Sequence, residues 1–394
     1  MKEEQFKKLI AVLIAVVTVM ATIITYLQND ASQRDDQANR DTKRYAAEIM
    51  GRKVSGNARA NYDYNKAFQA WQELDILAAS ATDRGDDTAA ARYLTLRDQM
   101  TALSPLLAEP YFNPDTGETD SAKYEADTYL VEIAALTQKF KAAGAVKNDW
   151  DAKANTYIVH LTLLAVSLFL LGLAATISGP LTRWIFSGTG IVVALYAVVW
   201  AGGVWAKPVY DLREQGGAIE AYSQGVGLAY QELYEESIAA FGEAIQAAPS
   251  FADAFSERAA ANMALGNFEA GAADYEQARA NGNTDANTAG ELSWAYYLLG
   301  RFDDAIAMNR TALESAPNEL WIRFDLALAL LASGQTDAAQ AEYDAGIQDA
   351  ARQVAEAKDA GAVPPSDLWW SLDADAAFSL ATIPARLVAT RNAS

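Results

Sequence analysis

The sequence predicts an all-α protein with three helices of membrane-spanning length, a helical bundle in the loop between the first two, and a C-terminal α-solenoid of about four repeats. Three observations carry this. Hydrophobic residues make up 51% of the 394-residue chain, yet its mean hydropathy is close to zero, so they are concentrated in a few places. Three of those places are long runs almost without charge. In the other half of the chain Gly266, Gly300 and Gly334 recur at intervals of 34, the length of one helical hairpin in a stacked array.

Composition removes much chemistry. The chain has no cysteine and one histidine, His160, which leaves no thiol nucleophile, thiolate metal site or multi-histidine centre. No catalytic, cofactor-binding or metal-binding residues are assigned, and no cofactor is expected. The formal charge of −20 is uneven: from Lys207 onward there are 28 acidic residues against 11 basic ones. That sign of field excludes nucleic acid as a partner and favours basic ones.

Residues 1–28 hold a short tail and the first span, Leu9 to Leu27, preceded by Lys7 and Lys8. It outlasts a signal-peptide core and has no convincing cleavage pair, so it reads as an uncleaved anchor. Residues 157–206 hold the second and third spans, and the five residues "PLTRW" between them force an antiparallel hairpin. Small residues recur at helical spacing: Ala11, Ala15, Thr18, Thr22 and Thr25 on the first span, Gly190, Ala194, Ala197 and Ala201 on the third, and Ala165, Gly172 and Gly179 on the second. In lipid, small faces let helix backbones approach, so these are the expected seams of a three-helix cluster, within one chain or a larger oligomer. His160 lies one turn inside its span and is expected to reach for interfacial water. The glycine pattern in "SGTGIVVA" lacks the strand-turn-helix context of a dinucleotide site.

The basic residues Lys2, Lys7 and Lys8 of the tail and Arg183 of the hairpin link place the N-terminus in the cytoplasm, although Arg34, Arg40, Lys43 and Arg44 follow the first span closely. With three spans, the loop domain and the C-terminal half are then extracytoplasmic.

Residues 29–156 read as helix almost throughout, with an interruption expected between Gly51 and Gly56 and a small bundle standing on the membrane. "AEPYFNPDTGETDS" is a turn-rich loop; its Asp115, Glu118 and Asp120 lack the ligand alternation of a calcium loop. A linker, 207–217, leads to the repeats.

Setting repeat starts at Ala218, Ala252, Ala286 and Leu320 needs no insertion. The small residue of the first helix is Gly225, Ala259, Ser293 and Ala327, and the larger one after it Leu228, Asn262, Tyr296 and Leu330. Glu232 takes the turn-glycine position in the first repeat. The aromatic after the turn is Tyr234, Phe268 and Phe302, with Thr336 in the fourth repeat. In the second helix Ser237, Gly271, Ala305 and Ala339 precede Phe241, Tyr275, Asn309 and Tyr343. This set, over 218–353, resembles the tetratricopeptide repeat family, in a membrane-anchored form of bacterial type. The resemblance implies an array that binds a protein or peptide, chiefly through the first helix of each repeat, and does no catalysis.

By the same resemblance the sixth position of each repeat, Ser223, Glu257, Glu291 and Asp325, faces the groove. Asp253, Tyr222, Trp294, Tyr297, Trp321 and Phe324 stand at further inward positions. Carboxylates beside aromatic faces suit a basic segment. The expected function is a membrane-anchored scaffold docking such a partner, or alternatively an accessory structural subunit of a larger membrane complex. In residues 354–394, Pro364 and Pro365 end the array, Ser366 can cap a further helix, and Trp369 and Trp370 are expected to cover its last edge.

Overall fold

The computed structural model describes residues 3–361 and divides after Ile219 into two compact units. Lys2 and most of the expected cap, including Trp369 and Trp370, lie outside the described residues.

The first unit is built on two long helices. α1 (Glu3–Tyr62) passes through a π-helical stretch, Asp63–Phe68, into α2 (Gln69–Asp83). α3 (Asp87–Met100) folds back against α2. A short ribbon follows, β1 (Phe112–Asn113) paired antiparallel with β2 (Glu118–Thr119). Then α4 (Ser121–Glu125) leads through a second π-helical stretch, Ala126–Leu130, into α5 (Val131–Thr176), and α6 (Pro180–Ala206) completes the unit. α1, α5 and α6 each contain a stretch long and apolar enough to cross a membrane.

The domain boundaries expected at 28/29 and 156/157 therefore fall inside continuous helices. No proline or glycine stands between Leu27 and Gly51, so nothing stops α1 at the end of its apolar stretch. The interruption expected at Gly51 to Gly56 is also absent: both are helical, and Gly56 is buried against Tyr129 of the opposite π-helical stretch. Instead of a small bundle, α1 and α5 form an antiparallel two-helix stalk. Arg34 lies over Trp150, Lys147 pairs with Asp35, and Arg52 with Glu132, so that one helix number rises as the other falls. The far end is closed by Trp71, Leu107, Phe112 and Ala67.

The apolar ends of these helices pack at sevenfold spacing. On α1 the buried positions are Ile10, Val17, Ile24, Ala31 and Ala38; on α5 they are Tyr157, Leu164 and Leu171 in one track and His160, Ser167 and Ala174 in another. A strict seven-residue repeat is the signature of left-handed supercoiling. On α6 Ser187, Gly190, Ala194, Ala197 and Ala201 are buried, the small seam expected there. A methyl group at Gly190 would stand 3.2 Å from both Leu171 Cγ and the Ser167 carbonyl oxygen, and Ser167 Oγ donates to the Gly190 carbonyl at 2.7 Å.

The small seam expected on α1 is not the one used. Ala11, Ala15, Thr18 and Thr22 are exposed, and Thr18, Thr22 and Thr25 donate their hydroxyls to their own helix at 2.8–3.0 Å. The larger Ile and Val side chains one position away fill the groove against α5, burying more apolar surface. Gly172 has no neighbour that a side chain would meet, and Ala165 is exposed, so the α5 seam also runs one face away from the small residues. His160 does not reach water: it is fully buried, its ring 4.5 Å from that of Trp200 and 6.0 Å from that of Tyr157. The hairpin link is Ile177–Gly179, and Pro180 opens α6 at the first-turn position where its missing N–H costs nothing.

In the second unit α7 (Ala218–Tyr230), α9 (Ala252–Ala264), α11 (Ala286–Leu298) and α13 (Leu320–Ala332) begin at the four expected repeat starts. Their partners are α8 (Tyr234–Ala247), α10 (Phe268–Ala280), α12 (Phe302–Ser315) and α14 (Thr336–Asp359). Each first helix ends in the same pair of backbone bonds. Gly266 N–H reaches Met263 O at 3.0 Å while Asn267 N–H reaches Asn262 O at 2.9 Å, and the pattern recurs at Gly300 and Gly334. The cap needs a left-handed residue, and φ is +78°, +73° and +85° at the three glycines. Glu232 adopts the same conformation with φ 59° and makes the same two bonds.

An L-residue other than glycine spends about 1 kcal/mol or more in that region. Glu232→Gly is therefore expected to raise the stability of the array by about 1 kcal/mol in thermal or urea melts, and Gly300→Ala to lower it by a similar amount.

Candidate partner-binding surface

The array is stacked by aromatic rings over small residues. Phe241 of α8 lies on Gly225 of α7, and Phe324 of α13 on Gly346 of α14. Ser293 sits at the third such position and donates to the Ala305 carbonyl at 2.9 Å, joining α11 to α12. Asn309, where the other repeats carry an aromatic, is fully buried and neither polar atom of its side chain finds a hydrogen-bond partner.

The expected groove residues separate into two groups. Tyr222 is core: it is 6% exposed, with ring centroids 5.6 Å from Phe241 and 5.0 Å from Phe251. Phe324 is fully enclosed beside Tyr343, and Asp325 is 3% exposed. The sequence "LWIRFDLALALLA" explains both, since a helix apolar on nearly every side is buried on nearly every side. Ser223 is buried as well and bonds the Glu220 carbonyl. Trp321 is half-buried, its ring laid across Gly290 of the preceding repeat. These residues hold the repeats together and do not form an open wall.

The second group is partly exposed. Asp253 and Glu257 stand on α9, and Glu291, Trp294 and Tyr297 on α11. The Trp294 and Tyr297 rings are stacked, 5.2 Å apart and within 10° of parallel, and pack partly against the Phe324 and Tyr343 cluster, with Glu291 one turn before Trp294 on α11. Burial pushes the Tyr297 hydroxyl above its ordinary pKa, and the Asp325 charge adds to the effect. The partly exposed members of the expected set are thus acidic and aromatic residues on the first helices of the second and third repeats.

Polar contacts fix the helices that carry it. Arg258, next to Glu257, holds Asp274 through two bonds of 2.8 and 2.7 Å, and these bonds raise the guanidinium pKa further. Tyr296, next to Tyr297, donates to Glu276 at 2.7 Å, and the Arg301 guanidinium lies 4.0 Å above its ring. Neither clamp is legible in the sequence, because each joins residues 16 or 20 apart whose pairing depends on how helices stack.

In the first unit Asp120 accepts the Lys123 amide at the start of α4, and Glu118 accepts from Thr116. "SGTGIVVA" lies within α6.

A tetratricopeptide repeat family model matches residues 296–362, the end of the third repeat and the whole of the fourth. The chain therefore carries tetratricopeptide repeats, and the identical caps carry the pattern back to residue 218. Among solved structures, MamA 41-end from Desulfovibrio magneticus RS-1 is 14% identical, with a TM-score of 0.34, covering 48% of this chain and 96% of its own. A double mutant of MamA RS-1 is 15% identical at the same TM-score and coverage. Similarity at that level transfers nothing further. No curated protein matches the chain.

Burial, with the Glu276 bond second, pushes the Tyr296 hydroxyl up to about 12, above the unfolded value of about 10. The folded state then holds a proton that the unfolded state loses, so this contribution is complete below pH 10 and disappears as pH rises towards 12. The stability difference between wild type and Tyr296→Phe should accordingly shrink in urea melts taken from pH 9 to pH 11.

Proposed function

We propose that this tetratricopeptide-repeat protein is a membrane-anchored scaffold whose second and third repeats dock a basic segment of a protein partner beside the bilayer. The observation that supports the docking surface most directly is the partial exposure of Glu291 and the stacked Trp294–Tyr297 pair on α11, with Asp253 and Glu257 partly exposed on the first helix of the preceding repeat. A guanidinium or ammonium group can lie on the ring face while a carboxylate takes its charge. Membrane anchoring is supported by the three apolar helices and their shared seam. In lipid such helices satisfy their backbone groups internally.

In the proposed orientation the N-terminus is cytoplasmic, and the stalk and array are extracytoplasmic. Tethering raises the local concentration of a partner that also lives at the membrane. The reading assigns no catalysis, since the family's usual work is binding and the surface offers carboxylates and rings without a nucleophile activated by a base.

A second reading, an accessory structural subunit of a larger membrane complex or oligomer, is favoured by one observation. The small face of α1, with Ala11, Ala15, Thr18 and Thr22, remains exposed within the chain. Co-purification in detergent at a fixed stoichiometry, lost on Ala15→Phe, would favour this reading over transient docking.

Docking is tested with labelled Lys- and Arg-rich peptides and their charge-reversed counterparts, read by fluorescence anisotropy. The double substitution Glu257→Lys and Glu291→Lys should weaken basic-peptide binding at least about tenfold while leaving the melting profile in place. Undiminished binding by the folded variant would remove these carboxylates from the site. Asp325 is unsuitable for the same test, because a lysine there would be buried and would disrupt the array.

A further inference from the structure

At the polar end of the apolar pack a cleft of about 270 Å³ opens between α5, α6 and the linker that follows α6. Its floor is Trp200, Val204 and Val209, and its rim carries Lys153, Lys207 and Thr156. The depth is defined by sequence. Below the cleft α5 is free of charge from Ala154 to Thr176 and α6 from Trp184 to Ala206; above it come Trp150, Asp149 and Lys147. If these helices span a bilayer, the cleft sits where hydrocarbon gives way to headgroups.

Positive groups crowd this level. The Lys153 ammonium lies 5.0 Å from the Trp150 ring and the Arg34 guanidinium 4.9 Å from the same ring. Arg34 is paired with Asp30 at 3.0 Å, and Asp149 stands on the cleft rim. Together these five charged groups leave a single positive excess. Lys153 gives one N–H to the carbonyl of Lys207 at the C-terminus of α6, which leaves two for a ligand. Partial burial lowers the Lys153 pKa, and the charges of Lys207 and Arg34 lower it further against the opposing effect of Asp149. An anion in the cleft would relieve that repulsion.

We propose that the cleft binds the phosphate headgroup of an anionic phospholipid, with Lys153 and Lys207 holding the phosphodiester while the Thr156 hydroxyl stays bonded to the Ala152 carbonyl of its own helix at 2.6 Å. The acyl chains have a path directly below: the Tyr196 ring lies 5.6 Å from that of Trp200, and Tyr196 and Val199 are exposed on α6. One phosphodiester charge matches the positive excess, whereas a zwitterionic headgroup brings a cation into an already cationic rim. The site fixes the end of α6, and with it the start of the linker, to the headgroup plane. The inference rests on the membrane reading above.

The test uses the full-length protein purified in detergent. Flotation with phosphatidylcholine vesicles comes first; failure of the wild type to float would overturn the membrane reading and this inference with it. Lipid binding is then read by native mass spectrometry during titration with phosphatidylglycerol or phosphatidylcholine. The wild type should retain phosphatidylglycerol about tenfold better, Lys153→Gln with Lys207→Gln should bring the two lipids to parity, and Lys153→Arg with Lys207→Arg should keep the preference. The variants must float as the wild type does, with unchanged circular dichroism. A floating wild type without preference, or a preference that survives the glutamine substitutions, would overturn the headgroup site alone. Displacement of phosphatidylglycerol by equimolar inorganic phosphate would make the cleft a free-anion site and overturn the lipid assignment.

Discussion

The sevenfold seam between α1 and α5 is the constraint on which the first unit depends. Ile10, Val17, Ile24, Ala31 and Ala38 keep one stripe of α1 facing α5 across both its apolar and its polar lengths. Because the same period continues past Leu27, the stalk is an extension of the apolar helices and needs no separate fold. Large residues fill the seam in the apolar part and alanines beyond it, where ion pairs such as Lys147–Asp35 and Arg213–Asp41 take over at the edges. The latter belongs to the linker after α6: Arg213 also holds Asp211 at 2.7 Å, so the linker is fastened to the stalk before the repeats begin. Both interactions raise the Arg213 pKa above its already high value.

The array is ordered by a different rule, the repetition of one cap every 34 residues. Its departures from the rule are local and independent. Glu232 makes the cap without the residue best suited to it, and Asn309 fills an aromatic's place with an amide that finds no bond. Each costs stability at one repeat without disturbing the next, as expected of an array in which repeats contact only their neighbours.

How far the sequence could be read depended on whether a pattern was periodic or three-dimensional. Repeat starts, turn glycines and the small seam of α6 are periodic along one helix or one repeat, and all were legible. Within the chain, α1 meets α5 through a different face from Ala11, Ala15, Thr18 and Thr22, which are periodic too, and choosing between two regular faces requires knowing which buries more against α5. His160 looked interfacial from its distance to the apolar boundary, but Trp200 covers it from the neighbouring helix. At the candidate surface Glu257 on α9 and Glu291, Trp294 and Tyr297 on α11 are partly exposed. Phe324 and Asp325 do not join them, although the nearly unbroken apolar sequence of α13 carried the warning. The cleft under Lys153 and Lys207 joins residues 54 apart and had no signal in either segment alone.

In the proposed membrane arrangement α1, α5 and α6 cross a bilayer, so that the tip of the stalk and the repeat array share one side and the hairpin link takes the other. The chain has no cysteine, so single cysteines at Thr116, Ser178 and Asp303 can each be labelled alone with a membrane-impermeant maleimide in intact cells. All three positions are exposed. Thr116→Cys and Asp303→Cys should be labelled without lysis and Ser178→Cys only after it. Labelling of all three in intact cells, or of Ser178→Cys together with either of the others, would contradict this arrangement.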